Sequence, residues 1–201
     1  MIKGIIFDYG NVIARFDHMI FFRRLLPYSA LRSDGILAEA GRASNLIIDY
    51  ETGRITSDEF SSQVVARLKL SMPMHKFKES FVRIFERNPA TLQLIRRLKP
   101  HFKLGLLSNT NQWHFETEMQ TLEEFPLFDA VTLSFEVGAM KPAELLYRDI
   151  LVKMNMQPDD CVYIDDIAEY VDFATALGFK AIHYTSHAEL VDSLKRLGIF
   201  V

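Results

Sequence analysis

Three apolar runs in this 201-residue chain end on side chains that can do chemistry. Gly4-Ile5-Ile6-Phe7 stops at Asp8, with Gly10 two positions on; Leu104–Leu107 stops at Ser108-Asn109; Val162-Tyr163-Ile164 stops at Asp165-Asp166. A fourth group, Lys141, stands between Met140 and Pro142. If the three runs are neighbouring strands, three carboxylates share one pocket, and each close pair repels by about 4 kcal/mol at an effective dielectric near 20. One carboxylate then takes a proton, or a cation sits among them. Oxygen donors with no Cys or His cluster select Mg²⁺. Lys141 can hold a phosphoryl oxygen and offset the repulsion. Ser108 offers a hydroxyl, and Asn109 a main-chain N–H or an amide, to a phosphate. A carboxylate nucleophile, a cation, a lysine and a hydroxyl suit phosphoryl transfer, where positioning and charge neutralisation do most of the catalysis. Taken singly, each residue has an ordinary explanation: Asp8 and Ser108-Asn109 as turn residues, Asp166 as a helix cap, Lys141 as a solvated loop lysine. Their order along one predicted sheet edge carries the reading.

The elements that must position them follow from periodicity. Ile2–Phe7 is too short and too β-branched for a helix and reads as a strand buried on both faces. From about Asp17 to Asn88 helical periods dominate and no strand is expected. The helices are Met19–Leu26, Leu31–Asp49 with an interruption near Gly41, a third behind the capping box Thr56-Ser57-Asp58-Glu59 with the stripe Phe60, Val64 and Leu68, and a fourth marked by Met74, Phe77, Phe81, Ile84 and Phe85. After Pro89 the chain alternates. Helices are expected at 89–99, Asn111–Leu122, Pro142–Met154, Ala168–Leu177 and Ala188–Leu197. Strands are expected at Lys103–Leu107, Ala130–Ser134, Cys161–Ile164 and Phe179–Tyr184. Such alternation predicts an α/β fold, a Rossmann-like parallel sheet with helices on both faces, carrying an inserted all-α segment after the first strand. Ligands bind such sheets outside the carboxyl ends of the strands, where Asp8, Ser108, Asp165 and Asp166 fall.

Composition narrows the classes. Net charge is −3 and 49% of residues are apolar, enough for a sizeable core and unlike a nucleic-acid binder. No run has the length of a membrane span, and the amino terminus lacks the pattern of a secretory signal, so a cytoplasmic protein is expected. The single Cys161 excludes an internal disulfide. The six histidines show no metal-ligand spacing. Trp113 is assigned to packing rather than to ligand stacking. Arg15, Arg42 and Tyr50 fall where the inserted helices could meet the site and read a substrate, though a surface role is expected for each.

The ordered set resembles the haloacid dehalogenase-like hydrolase superfamily. Its four motifs stand here as Ile5-Ile6-Phe7-Asp8-Tyr9-Gly10-Asn11-Val12, Leu104-Gly105-Leu106-Leu107-Ser108-Asn109, Lys141-Pro142 and Val162-Tyr163-Ile164-Asp165-Asp166. The helical insertion is similar to the family's α-helical cap. Together with Ser108-Asn109-Thr110-Asn111 and the stretch from Glu51 to Thr56, the first motif is most similar to small sugar-phosphate phosphatases, those acting on glucose 1-phosphate among them. The resemblance implies a core domain of residues 1–15 and 89–201, a cap domain of residues 16–88, and a strand order of 5-4-1-2-3. It implies Asp8 as a nucleophile forming an aspartyl-phosphate, Ser108 and Lys141 holding the phosphoryl group, and Mg²⁺ bound by Asp8, the Gly10 carbonyl and Asp166, with Asp165 acting directly or through water. The expected activity is Mg²⁺-dependent hydrolysis of a small phosphomonoester, by a monomer or weak homodimer with no nucleic-acid or membrane partner. The alternatives are a 2-haloacid dehalogenase, in which Asp8 attacks carbon without metal, and a catalytically weakened phospholigand-binding member. Two departures stand out. Gly10 occupies the position where most such phosphatases carry an acid–base Asp, a loss of about 10²–10⁴ in rate if nothing replaces it. Tyr170 stands where many relatives carry an Asn that supports the metal loop.

Overall fold

A computed structural model describes residues 1–42 and 44–200. Among these, β1 (Gly4–Phe7), β4 (Lys103–Ser108), β5 (Ala130–Leu133), β6 (Cys161–Asp165) and β7 (Lys180–His183) form an all-parallel sheet in the order β5-β4-β1-β6-β7. Numbered within the sheet alone, that is the expected 5-4-1-2-3 order read from the other edge.

Successive side chains of β1 enter opposite layers. Ile5 and Phe7 pack with Leu94, Ile95 and Leu98 of α6 (Pro89–Leu98) and with Leu190 and Leu194 of α11 (His187–Arg196). Ile6 packs with Leu146, Tyr147 and Ile150 of α9 (Glu144–Met154) and with Ala174 of α10 (Ala168–Ala176). Because both faces are covered, β1 reads as an unbroken apolar run. The register then fixes the site. Phe7 pairs with Leu106 on one side and Ile164 on the other, so Asp8 emerges level with Asp165. The Asp8 N–H donates to the Ile164 carbonyl at 2.8 Å.

Between β1 and α6 the chain leaves the sheet through β2 (Ala14–Phe16) and returns through β3 (Phe85–Arg87), which pair antiparallel. This ribbon corrects the expectation of helix only between Asp17 and Asn88. Phe85, read as the end of the fourth helix, starts β3, and Ile84 lies in the turn before it. The expected boundaries at 15/16 and 88/89 fall in and just past the ribbon. The inserted helices are α1 (His18–Leu25), α2 (Ser33–Arg42), α3 (Ser44–Glu51), α4 (Ser57–Arg67) and α5 (Met74–Val82). Gly41, near which an interruption is expected, lies within α2; residue 43, between α2 and α3, and the Arg42 side chain lie outside the described residues. The capping box forms as read: Thr56 Oγ1 accepts from the Glu59 N–H at 3.2 Å, and Glu59 accepts from the Thr56 N–H at 2.8 Å.

The insert has its own core of Phe21, Leu25, Phe60, Phe77 and Phe81, and Trp113 from the sheet side joins it. Trp113 packs edge-on to Tyr50, Phe77 and Phe81, the packing role assigned to it. α7 (Gln112–His114) runs into a wider π-turn over Phe115–Met119 instead of one regular helix to Leu122. α8 (Ser134–Val137) follows β5 directly. α9 begins at Glu144, so Pro142 precedes the helix rather than opening it. No helix among the described residues is long and apolar enough to cross a membrane.

Candidate active site

The turn after β1 folds tightly: Ile13 N–H donates to the Tyr9 carbonyl at 2.9 Å and Val12 N–H to the Gly10 carbonyl at 2.7 Å. Asn11 sits in the left-handed region at φ 53°, a conformation Asn tolerates better than most residues. That turn aims Asn11 at Asp166, and its Nδ2 donates to Asp166 Oδ2 at 2.8 Å. Asp8, Asp165 and Asp166 each present an oxygen within 4.8 Å of the others.

Lys141 enters from the loop before α9 and is almost wholly buried. Its Nζ lies 2.7 Å from Asp8 Oδ1 and 2.6 Å from Asp165 Oδ2. The Lys141 main chain is clamped by Asn109, whose Oδ1 accepts from the Lys141 N–H at 2.8 Å and whose Nδ2 donates to its carbonyl at 3.4 Å. The Asn109 side-chain amide, one of the two groups this residue is expected to offer a phosphate, is thus committed to the lysine loop. Ser108 closes β4, buried at the floor of the cleft. Two residues on, Thr110 is pinned through its N–H to Ser134 Oγ at 2.8 Å.

The carboxylates differ in what surrounds them. Asp165 is fully buried and its oxygens are taken: Oδ1 accepts from the Ile167 N–H at 2.9 Å, and Oδ2 from Lys141 and the Tyr163 hydroxyl. Asp166 is half-buried, and the Asn11 amide donates to one of its oxygens. Burial pushes the Asp8 carboxyl up to about 7; Lys141 works against that, and Asp165 and Asp166 add to it. Burial alone would lower the Lys141 ammonium, but Asp8 and Asp165 outweigh it and hold the group above the usual lysine range. Three carboxylates against one ammonium leave the pocket anionic. Oxygen donors of this kind, with no sulfur or imidazole among them, fit a hard divalent cation such as Mg²⁺.

The residue at the second departure has a different task. The Tyr170 ring lies 5.2 Å from Lys141 Nζ, a cation–π contact over the buried ammonium. Support for Asp166 comes from the other side, from Asn11.

Sequence reasoning missed three residues here. Asn11 stood within the quoted first motif, but only a left-handed turn brings its amide round to Asp166. Tyr163 reads as an apolar strand residue, yet its hydroxyl reaches Asp165, two positions on along the same face. Glu51, the last residue of α3, lines the same cleft of about 220 Å³ as Asp8, Ser108, Lys141 and Asp166. His114 also lines it, but its Nε2–H donates to the Phe81 carbonyl at 3.1 Å and its Nδ1 accepts from Asn111 at 3.0 Å. Burial lowers its imidazole to about 4, a neutral structural histidine. Tyr50 is likewise structural: its hydroxyl lies 2.8 Å from Ser57 Oγ and accepts from the Trp113 N–H at 3.3 Å, which ties the insert to α7. Arg15 lies exposed in β2.

Comparison with known proteins agrees with this fold. The chain is 25% identical over 198 residues to a D-ribitol-5-phosphate phosphatase of Bacteroides thetaiotaomicron, covering 94% of this chain and 95% of that protein. A predicted HAD-like hydrolase of Porphyromonas gingivalis superposes with a TM-score of 0.81 at 24% identity, covering 98% of each chain. A HAD-family enzyme of Bacteroides thetaiotaomicron, solved in complex with magnesium and inorganic phosphate, superposes with a TM-score of 0.80 at 19% identity, covering 90% of this chain and 93% of that one. The model of the haloacid dehalogenase-like hydrolase family matches residues 39–183, a span that holds Ser108, Lys141, Asp165 and Asp166 and begins after Asp8. With that match over more than half its length, the chain belongs to the haloacid dehalogenase-like hydrolase family.

Proposed function

We propose that the protein is a Mg²⁺-dependent phosphatase that hydrolyses a small phosphomonoester, a sugar or polyol phosphate, through an aspartyl-phosphate on Asp8. The observation that carries this is the meeting of Asp8, Asp165 and Asp166 within 4.8 Å beside the buried ammonium of Lys141. In this reading residues 1–15 and 89–201 are the catalytic core and residues 16–88 a cap that selects the leaving group. A soluble cytoplasmic monomer or weak dimer is part of the proposal.

Asp8 attacks phosphorus in line, the ester P–O bond breaks, and water then hydrolyses the acyl phosphate. Lys141 and Ser108 hold the phosphoryl oxygens, and the main-chain N–H of Asn109 serves in place of its committed amide. Asp8, the free lone pair of the Gly10 carbonyl and Asp166 would hold Mg²⁺, which supplies charge neutralisation for the transferring group. Asp165, with its oxygens already engaged, orients Lys141. The related phosphatase named above favours a phosphorylated polyol, and the cap-lined cleft leaves room for a small leaving group. Dehalogenation needs no cation, so the acidic cluster speaks against it. A phosphate-release screen over sugar and polyol phosphates, with and without Mg²⁺, tests the proposal. Mg²⁺-dependent turnover abolished by Asp8→Asn is expected. Turnover that survives in that variant, or halide release without metal, would overturn it.

A further inference from the structure

At Gly10 this chain lacks the carboxyl that would move protons beside the nucleophile, and the space is closed. A Cβ at Gly10 would lie 2.9 Å from Cε1 of Phe16, whose ring occupies that side of the cleft. Hydrolysis still needs a proton delivered to the leaving oxygen and one removed from the attacking water. Of the groups lining the cleft, Asp166 accepts from the Asn11 amide and belongs to the acidic cluster, the Tyr9 hydroxyl donates to Glu118 at 3.1 Å, Lys141 is locked between Asp8 and Asp165, His114 has both nitrogens engaged, and the Tyr170 ring covers Lys141. Glu51 and His18 are the remaining candidates among the described lining residues.

Glu51 stands in a position that packing alone does not explain. It is the last residue of α3, at the helix end where the carbonyls make the potential negative and a carboxylate is disfavoured. Among the described residues its carboxyl makes no hydrogen bond and no ion pair, and the nearby Arg54 is paired with Asp49 at 3.1 Å. Burial pushes its carboxyl up to about 7, and it lines the cleft from the inserted helices while Asp8 and Asp166 line it from the sheet. His18 packs its ring against Phe16 at 4.9 Å, and the partial burial this gives lowers its imidazole, which suits a neutral ring rather than an acid.

We infer that Glu51 is the acid–base residue of this phosphatase, a cap carboxyl doing from the leaving-group side what an aspartate at position 10 would do beside the nucleophile. The inference rests on the phosphatase reading above. In the first half-reaction Asp8 forms its bond to phosphorus, the ester P–O bond breaks with its electron pair on the leaving oxygen, and the Glu51 carboxyl delivers its proton there, leaving an alcohol. In the second, water attacks phosphorus of the aspartyl-phosphate, the Glu51 carboxylate takes the water proton, and Asp8 departs as carboxylate. Glu51 ends protonated, ready for the next turnover.

The test compares two leaving groups on the full-length protein with Mg²⁺. For E51Q, kcat on glycerol phosphate, whose alkoxide needs a proton, falls about 10²–10⁴-fold. On p-nitrophenyl phosphate, whose phenolate leaves unaided, E51Q gives a burst of one equivalent per site and then slow turnover, because the aspartyl-phosphate waits for its base. Formate restores turnover to Glu51→Ala. Equal losses on both substrates without a burst, an unchanged kcat, or the same leaving-group signature in His18→Asn with E51Q unaffected would overturn the inference. Asp8→Asn in the same assay separates the two levels of the argument: if it still releases phosphate, the phosphatase reading itself fails, whatever Glu51 does.

Discussion

Replacing Lys141 by Met tests how the site is held together. Lys141 is 4% exposed and its ammonium touches two carboxylates at 2.7 and 2.6 Å, one on Asp8 and one on the fully buried Asp165. At an effective dielectric of about 20, each contact carries a gross attraction of about 6 kcal/mol, most of it offset by the cost of burying the ions. Removing one partner leaves the others buried without a counter-charge, which costs about 3–5 kcal/mol in other proteins. That is a large share of the roughly 5–15 kcal/mol that holds a domain folded. With a urea dependence of about 2 kcal/mol/M, the unfolding midpoint of K141M in chelator-treated buffer should fall by about 2 M. The pH dependence has a definite sign. Without Lys141 the folded Asp8 carboxyl titrates further above the unfolded value near 3.9, so the loss is full at neutral pH and shrinks as pH falls and Asp8 takes up its proton. Excess Mg²⁺ should restore part of the midpoint, by about 2.7 kcal/mol at a hundred times its Kd. A shift below about 0.5 M at neutral pH without cation would refute the claim that Lys141 balances the pocket.

Further outcomes follow from the same geometry. Asn11→Ala removes the amide 2.8 Å from Asp166 and should weaken Mg²⁺ binding, read by titration calorimetry, about 10–100-fold, while the fold keeps its urea midpoint within about 1 kcal/mol. Gly10→Asp should not raise turnover by itself, because its Cβ meets Phe16 at 2.9 Å; paired with Phe16→Ala it should, and a rise in the single variant would contradict the contact. E51Q should be more stable than wild type. The Glu51 pKa is about 7 folded against 4.5 ordinarily, so wild-type stability falls as pH rises from 4.5 to 7 and stays low above. The gain of the variant opens over that window and levels at about 2 kcal/mol once partial exposure is allowed for, and chemical denaturation at pH 5 and pH 8 reads it.

The sheet and its catalytic edge were legible because each of their signals is local. An apolar run that ends on a carboxylate marks both a strand and its exit, and the proline and glycine punctuation bracketed α6 and the ends of α10 and α11. What escaped depends on partners far along the chain. β2 and β3 are three residues each and pair across some 70 positions, so neither carries enough pattern to stand out from the helices between them. Pro142 lies two residues before α9, where the motif lysine has to turn into the pocket. Asn109 reads as phosphate-facing turn chemistry until the Lys141 loop is seen to take its amide. Asn11, Tyr163 and Glu51 gain their roles only when a left-handed turn, a strand face and the fold of the cap bring them to the cleft. Gly53 gives a further case: at φ 67°, with a Cβ position 2.2 Å from the Phe135 carbonyl, it lets the loop after α3 lie against the sheet-bearing part, and nothing local in the sequence announces that contact.

The covalent step is the centre of the account, and trapping it is the direct measurement. The protein is quenched during turnover of a phosphorylated polyol with Mg²⁺, reduced with borodeuteride, digested and analysed by mass spectrometry. Deuterium should appear at residue 8, in place of the Asp8 acyl phosphate, and be absent from Asp8→Asn and from protein without substrate. Phosphate release with no label at residue 8, or with label on another carboxylate, would contradict it.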